Sequence, residues 1–378
     1  MNDNAKSANL TCLVTGATGY IAGRLIRELL LAGFKVKVFA RFPDRLRDMP
    51  WINDVEIVSG DALDRESVEI AMKDVDIAYY LLHALNKGPE FVEIETKMAN
   101  TFATAANNNN VKRIIYLGGL IPSEKLSQHL ASRKMTGEIL RNSGVPTIEL
   151  RAGVVIGSGS ASFEMLRYLT ERLPVMITPK WVKTRIQPIA VRDVLYYLVS
   201  AAKLTENLNR AFDIGGPDIF AYKEMMNRYA KVADLRKRII IPVPLLTPRL
   251  SSLWVGFVTP VPGAIARPLV RSLINEVICH ENDIKQYIPD PKDGLTTFEK
   301  AVDLALVRIR DAQVSTRWSS ASIPGVPSEP MPSDPDWSGG SLYQDVREIE
   351  VNASAENVWK VVEAIGGDHG YFSLDWAW

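Results

Sequence analysis

Short apolar runs alternate with amphipathic stretches along the first half of the chain. Leu10–Gly16 (LTCLVTG) predicts a strand that ends in glycine. Leu25, Ile26, Leu29 and Leu30 then share one face of a helix over Ala22–Leu31. Lys35–Ala40 (KVKVFA), Val55–Asp61 (VEIVSGD) and Val75–His83 (VDIAYYLLH) predict three more strands, and a helix around Phe91–Ala106 follows. Arg113–Gly119 (RIIYLGG) and Thr147–Gly157 (TIELRAGVVIG) flank the next helix. Strands that are apolar throughout, not at every second position, belong to a parallel sheet covered on both faces. Right-handed crossovers then make this an α/β, Rossmann-type doubly wound fold.

The pattern divides the chain into four parts. Residues 1–160 form the dinucleotide-binding core, and 161–312 supply the remaining sheet elements and a smaller substrate lobe. Residues 313–341 make a proline-rich linker, expected to be extended and solvated, with Trp318 and Trp337 able to pin it to a surface. A strand–helix tail follows at 342–378, with Ser354 as helix N-cap. So short a piece buries no core of its own, so it docks on the main body, pairs with another chain, or opens a longer domain. The apolar stretch Leu250–Val270 is broken by Pro260 and Pro262 and followed closely by charge at Arg267. A spanning helix needs roughly 20 largely uninterrupted apolar residues. The stretch therefore reads as buried or pocket-lining, and no integral membrane segment is expected.

Charge narrows the partners. Lys and Arg total 44 and balance 44 Asp and Glu, so no basic field points to nucleic acid. Cys12 and Cys279 lie far apart, and the four histidines offer no pair at zinc spacing, so no metal site is expected. The N-terminus lacks the apolar core of a signal peptide, which makes a cytoplasmic location the default.

Chemistry enters at VTGATGYIAG, Val14–Gly23. Gly16 and Gly19 stand where the first strand turns into the first helix. A side chain there would hold the backbone away from a pyrophosphate, which the helix N-terminus is placed to receive. Thr15, Gly16, Thr18, Gly19, Tyr20 and Ile21 are the candidate contacts. After the second strand an NAD site usually carries an acidic residue for the ribose diol. Here Arg41 stands there, with Arg45 and Arg47 behind it. Guanidinium forks match a 2′-phosphate, so NADP(H) is favoured over NAD(H), the alternative being an ordinary solvated basic turn. Asp61 and Ala62, after the third strand, are placed to meet the adenine.

TGATGYIAG, with the later RIQPIAVRDV and FDIGGPD, resembles the extended and atypical short-chain dehydrogenase/reductases. The likeness covers about residues 9–300 and is greatest to the NmrA-like branch, which includes an accessory subunit of respiratory complex I. The tail resembles the start of a helix-grip domain. Catalytic members of the family carry a serine after the fifth strand and Tyr-x-x-x-Lys on the next helix. The resemblance puts Lys134 at the lysine position as a ribose ligand, the alternative being an exposed helical lysine, with Glu138 four residues on. It leaves Leu130 in place of the tyrosine and LGGL, Leu117–Leu120, in place of the serine.

His83, at the carboxyl end of the fourth strand, is the candidate replacement acid, able as an imidazole to titrate near neutral pH. A satisfied edge histidine is the alternative. Tyr79 and Tyr80 read as packing residues and Tyr116 as undecided, while Ser123 and His129 flank the vacated positions. Trp181, Trp254, Phe257, Phe163 and Met165 suit either a core or a pocket for a small apolar substrate. Two functions follow: an NAD(P)H-dependent oxidoreductase on an apolar carbonyl, enone or quinone-like substrate, or a non-catalytic NADP(H)-binding sensor or assembly protein.

Overall fold

The computed structural model describes residues 10–47, 49–84, 90–122, 126–243, 275–310, 316 and 349–363. Trp254, Phe257, Ser123, Trp318, Trp337 and the Leu250–Val270 stretch lie outside them, as does the side chain of Trp181. The chain divides into two compact units, Met1–Gly340 and Ser341–Trp378.

The first unit opens with β1 (Thr11–Thr15), α1 (Tyr20–Leu31), β2 (Lys35–Ala40), β3 (Glu56–Ser59), α2 (Arg65–Met72), β4 (Ile77–Tyr80), α3 (Phe91–Asn108), β5 (Arg113–Gly119), α4 (Gln128–Arg141) and β6 (Thr147–Ala152). It continues through β7 (Val155–Ile156), α5 (Ala161–Arg172), β8 (Val175–Pro179), β9 (Arg185–Ile186), β10 (Ile189–Ala190), α6 (Val191–Lys203), β11 (Arg210–Ile214), β12 (Phe220–Ala221), α7 (Tyr222–Val232), β13 (Ile239–Val243) and α8 (Phe298–Arg310). Seven parallel strands form the central sheet in the order β11-β6-β5-β4-β1-β2-β3. The order reverses between β1 and β4, which places a crevice beyond their carboxyl ends.

Continuous apolar strands bury both sheet faces. On one face Leu25, Ile26 and Leu29 of α1 and Val194, Leu198 and Ala201 of α6 pack on the sheet; on the other lie Phe102, Ala103 and Ala106 of α3. Tyr79 points to the first face and donates to the Leu198 carbonyl at 3.0 Å. Tyr80 points to the second, edge-on to Phe102 and Tyr116. These three tyrosines are thus packing residues. Arg113 reaches from β5 to the carbonyls of Ala201, Leu204 and Glu206 and closes the C-terminal end of α6.

The second lobe packs α5, α7 and α8 around Phe163, Leu166, Met225, Tyr229 and Val302. The two motifs that carried the family likeness tie this lobe to the sheet. Gln187 bridges the Gly216 carbonyl and the Cys279 N–H at 2.8 and 2.9 Å. Asp193 accepts from both Thr296 groups, Asp213 from the His280 N–H and Asp218 from the Phe298 N–H. Burial raises the pKa of Asp193 and of Asp213.

Thr316 departs from the solvated linker expected there. It is buried, accepts from Arg24 Nε at 2.8 Å and donates to the Tyr20 carbonyl at 2.9 Å. In the second unit, α9 (Ala355–Glu363) begins one residue after Ser354, and the described residues before it form no strand. Among the described residues no helix is long and apolar enough to cross a membrane, and no His/Cys/Asp/Glu group is arranged to hold a metal.

Candidate functional site

A cleft of about 490 Å³ lies at the β1/β4 reversal and runs from the tips of β2 and β3 to the second lobe. One half is backbone. Gly16 sits at φ +72°, and a Cβ on it would come 2.9 Å from the Leu81 carbonyl oxygen. Its own carbonyl accepts from the Gly19 N–H at 2.7 Å, which closes the turn. Helices α2, α4 and α5 are capped by the side chains of Asp64, Ser127 and Ser160, whereas α1 begins at Gly19 with no side-chain cap. Its first N–H groups are left for an anion. Gly16, Thr18, Gly19, Tyr20 and Ile21 all line the cleft. Thr15 does not: its hydroxyl donates to the Tyr79 carbonyl and accepts from the Leu81 N–H, locking β1 to the end of β4.

The rim beyond the glycines carries the arginines. Arg41, Asp61 and Ala62 line the cleft, and Arg41 pairs loosely with Asp61 at 3.7 Å. Arg41 and Arg45 both stack on Phe42, at 4.9 and 5.4 Å from its centroid. Arg45 Nη1 is buried with no hydrogen-bond partner. Arg45 itself does not line the cleft. Arg47 is exposed outside the lining.

The other half gathers side chains from distant segments. The chain leaves β4 through Leu81–Leu82–His83–Ala84, which puts His83 across the cleft from the glycine loop. Helix α4 contributes His129, Leu130 and Arg133, and the lobe adds Met165, Tyr222 and Val277. Phe163 turns instead into the lobe core. Lys134 does not line the cleft: it is exposed, with Glu138 at 3.9 Å. One residue along a helix is about 100° of rotation, and it is Arg133 that turns inward.

The glycines that replace the serine have a packing reason. A Cβ on Gly119 would lie 3.3 Å from Leu130 Cδ2, and one on Gly118 would lie 3.1 Å from Glu149 Oε1. Leu130, the residue at the tyrosine position, is buried against this strand. Glu149 is buried in turn between Arg141 and Arg151 and secures α4 on the sheet.

Electrostatics alters the role expected of His83. Burial, then the charge of Arg133, lowers its pKa to about 4. His83 is surrounded by protein yet open to the cleft, so water there softens the shift and a bound ligand restores it. Burial lowers His129 to about 3, with Arg133 and His83 adding to it, and its Nδ1 is buried without a partner. Both rings are neutral at pH 7. A neutral imidazole offers one N–H donor and one acceptor nitrogen to whatever occupies the cleft.

Glu95 escaped the sequence reading. It is buried on α3, accepts from the Ala84 N–H at 2.9 Å and takes a very short hydrogen bond from the Ser132 hydroxyl. One carboxylate thus fixes the neighbours of both His83 and Arg133. The available signal was its position on the apolar stripe of Phe91, Met98, Ala99 and Phe102, where a charge needs partners.

The fold is a Rossmann-type α/β fold, and a model of the NAD(P)H-binding family matches residues 16–155. The structure of Citrobacter sp. triphenylmethane reductase complexed with NADP(H) shares 18% identity and a TM-score of 0.61, covering 78% of this chain and 99% of that one. The mouse (Mus musculus) mitochondrial NADH dehydrogenase (ubiquinone) 1 alpha subcomplex subunit 9 is 23% identical over 256 residues, covering 66% of this chain and 67% of the relative. The ceramide reductase of Caulobacter vibrioides is 23% identical over 278 residues, covering 72% and 86%.

Proposed function

We propose that the protein is an NADP(H)-dependent oxidoreductase acting on an apolar carbonyl, enone or quinone-like substrate. The observation that carries this is one continuous cleft joining the glycine cradle and arginine rim to an apolar chamber, with His83 between them. The α1 N-terminus and the Gly16–Gly19 turn hold the pyrophosphate. Arg41 and Arg45 take the 2′-phosphate, Arg41 exchanging its loose contact with Asp61 for it, and Asp61 and Ala62 border the adenine. Bound NADPH supplies hydride equivalents. His83, neutral and held through Ala84 by Glu95, donates an N–H to the substrate oxygen, while Leu120, Met165 and Val277 exclude water around it.

Fluorescence titration with NADPH and NADH, followed by NADPH consumption on a panel of apolar enones and quinones, tests the assignment. We expect tighter NADPH binding, turnover on at least one class, and loss of turnover in His83→Ala with NADPH binding retained. Equal affinity for the two nucleotides overturns the cofactor preference. The second reading, a nucleotide-binding sensor or assembly protein, is favoured by one observation: Leu130 buries the tyrosine position in apolar contact. Tight NADPH binding without consumption across the panel selects it.

A further inference from the structure

Among the described residues, the apolar half of the cleft is lined by one permanently charged side chain, Arg133. Arg133 enters from α4, where its Nη1 donates to the Leu117 carbonyl at 3.1 Å and its side chain also hydrogen-bonds Tyr116. No carboxylate lies within ion-pair distance of it among the described residues: Glu95, the acid that helps sustain its charge, spends its oxygens on the Ala84 N–H and the Ser132 hydroxyl. The Tyr116 hydroxyl donates to the Arg133 backbone carbonyl, which fixes the turn of helix that carries it. Around this cation stand two imidazoles, and His129 Nδ1 is buried with no partner. A guanidinium without a carboxylate partner and an unsatisfied ring nitrogen in one apolar chamber are costly to keep unless a ligand completes them.

We infer that Arg133, with His83 and His129, forms an oxyanion site at the inner end of the cleft, and that its ligand is an apolar molecule presenting one anionic oxygen. The site sits on the same helix as the vacated tyrosine and lysine positions but one residue earlier, as His129-x-x-x-Arg133. Side chains four apart share a helix face, so both reach the cleft together. Arg133 supplies the charge and the imidazoles the N–H donors that a tyrosine hydroxyl would otherwise offer. An apolar carboxylate is then the stable ligand of the same form. This deepens the oxidoreductase reading of the cleft, and it stands or falls on a different measurement.

Isothermal titration of the full-length protein, saturated with NADP⁺, with octanoate and with 3-phenylpropionate tests it. The amides of both acids serve as neutral controls. At least one acid should bind to wild type and its amide should not. Binding should weaken about tenfold or more in Arg133→Met and less in Arg133→Lys, the loss expected for one charge-assisted contact. Circular dichroism melts verify that both variants fold, and NADPH titration of each is read in parallel. Failure of both acids on wild type overturns the site, as does equal binding to Arg133→Met. If Arg133→Met loses NADPH as strongly as it loses the acid, Arg133 is a cofactor ligand and the oxyanion site is overturned. If wild type binds the acid without NADP⁺ and never binds NADPH, the oxidoreductase reading fails and the anion site survives.

Discussion

The two halves of the cleft are made in different ways. The nucleotide half comes from a seven-residue span, Gly16–Ala22, and from the ends of β2 and β3, and most of what it offers a ligand is backbone. The substrate half draws side chains from the exit of β4, one face of α4 and the second lobe, which come together only through the sheet. Local backbone demands leave glycines and a strand–helix boundary in the sequence. A site assembled by packing leaves residues that look ordinary one at a time. That difference sets where substitutions should hurt.

The largest effect should fall on the scaffold of the substrate half. Glu149→Ala strands Arg141 and Arg151 and should cost about 3–5 kcal/mol in a denaturant melt, because each is left without its buried partner. If the two halves are independent, the folded fraction keeps its NADPH affinity. A matching loss of NADPH binding would break the comparison.

In the nucleotide half, Gly16→Ala forces an alanine to φ +72° against the Leu81 carbonyl. Strain of roughly 1–2 kcal/mol plus the contact should weaken NADPH about tenfold or more in fluorescence titration. Next, the pair Arg41→Ala and Arg45→Ala should weaken NADPH by about tenfold while leaving NADH nearly unchanged, since only NADPH carries the phosphate. An equal loss for both nucleotides would return these arginines to the role of a basic turn.

The smallest effect is a pH slope. His83 and His129 titrate below the ordinary 6.5 in the folded state, at about 4 and about 3. The unfolded chain binds their protons first, so stability is fully present above 6.5 and falls as the pH drops toward 4. The double variant His83→Asn, His129→Asn should flatten that slope in thermal melts between these values, with the smaller share from His83, which faces cleft water. An unchanged slope would place acid sensitivity elsewhere.

How much was legible follows the same division. The glycine loop, the arginine rim and the strand that delivers His83 could be read because strand ends and φ-positive glycines are local facts. The sheet could be read because its strands are apolar at consecutive positions. Lys134 was legible as a motif letter, but which side chain of α4 faces the cleft was not: Leu130 packs toward Gly119 and Arg133 enters the lining. Asp193, Asp213 and Asp218 were visible as motif letters whose work, binding the segment around 275–298 to the sheet, appears only across separations in sequence of 67 to 103 residues. Thr316 gave no signal, since a threonine in a polar stretch resembles any other until α1 is beneath it.

By itself, then, the sequence determined a parallel doubly wound sheet and a dinucleotide cradle, because apolar period, glycine placement and the alternation of strands with helices are written over short stretches of chain. Only the tertiary structure decided that His129 and Arg133 share a chamber with His83, that Glu95 supports them, and that both imidazoles are neutral. Those depend on helix rotation, burial and the charge of a neighbour some 50 residues away along the chain from His83, where 133 and 83 are brought within electrostatic range by the fold.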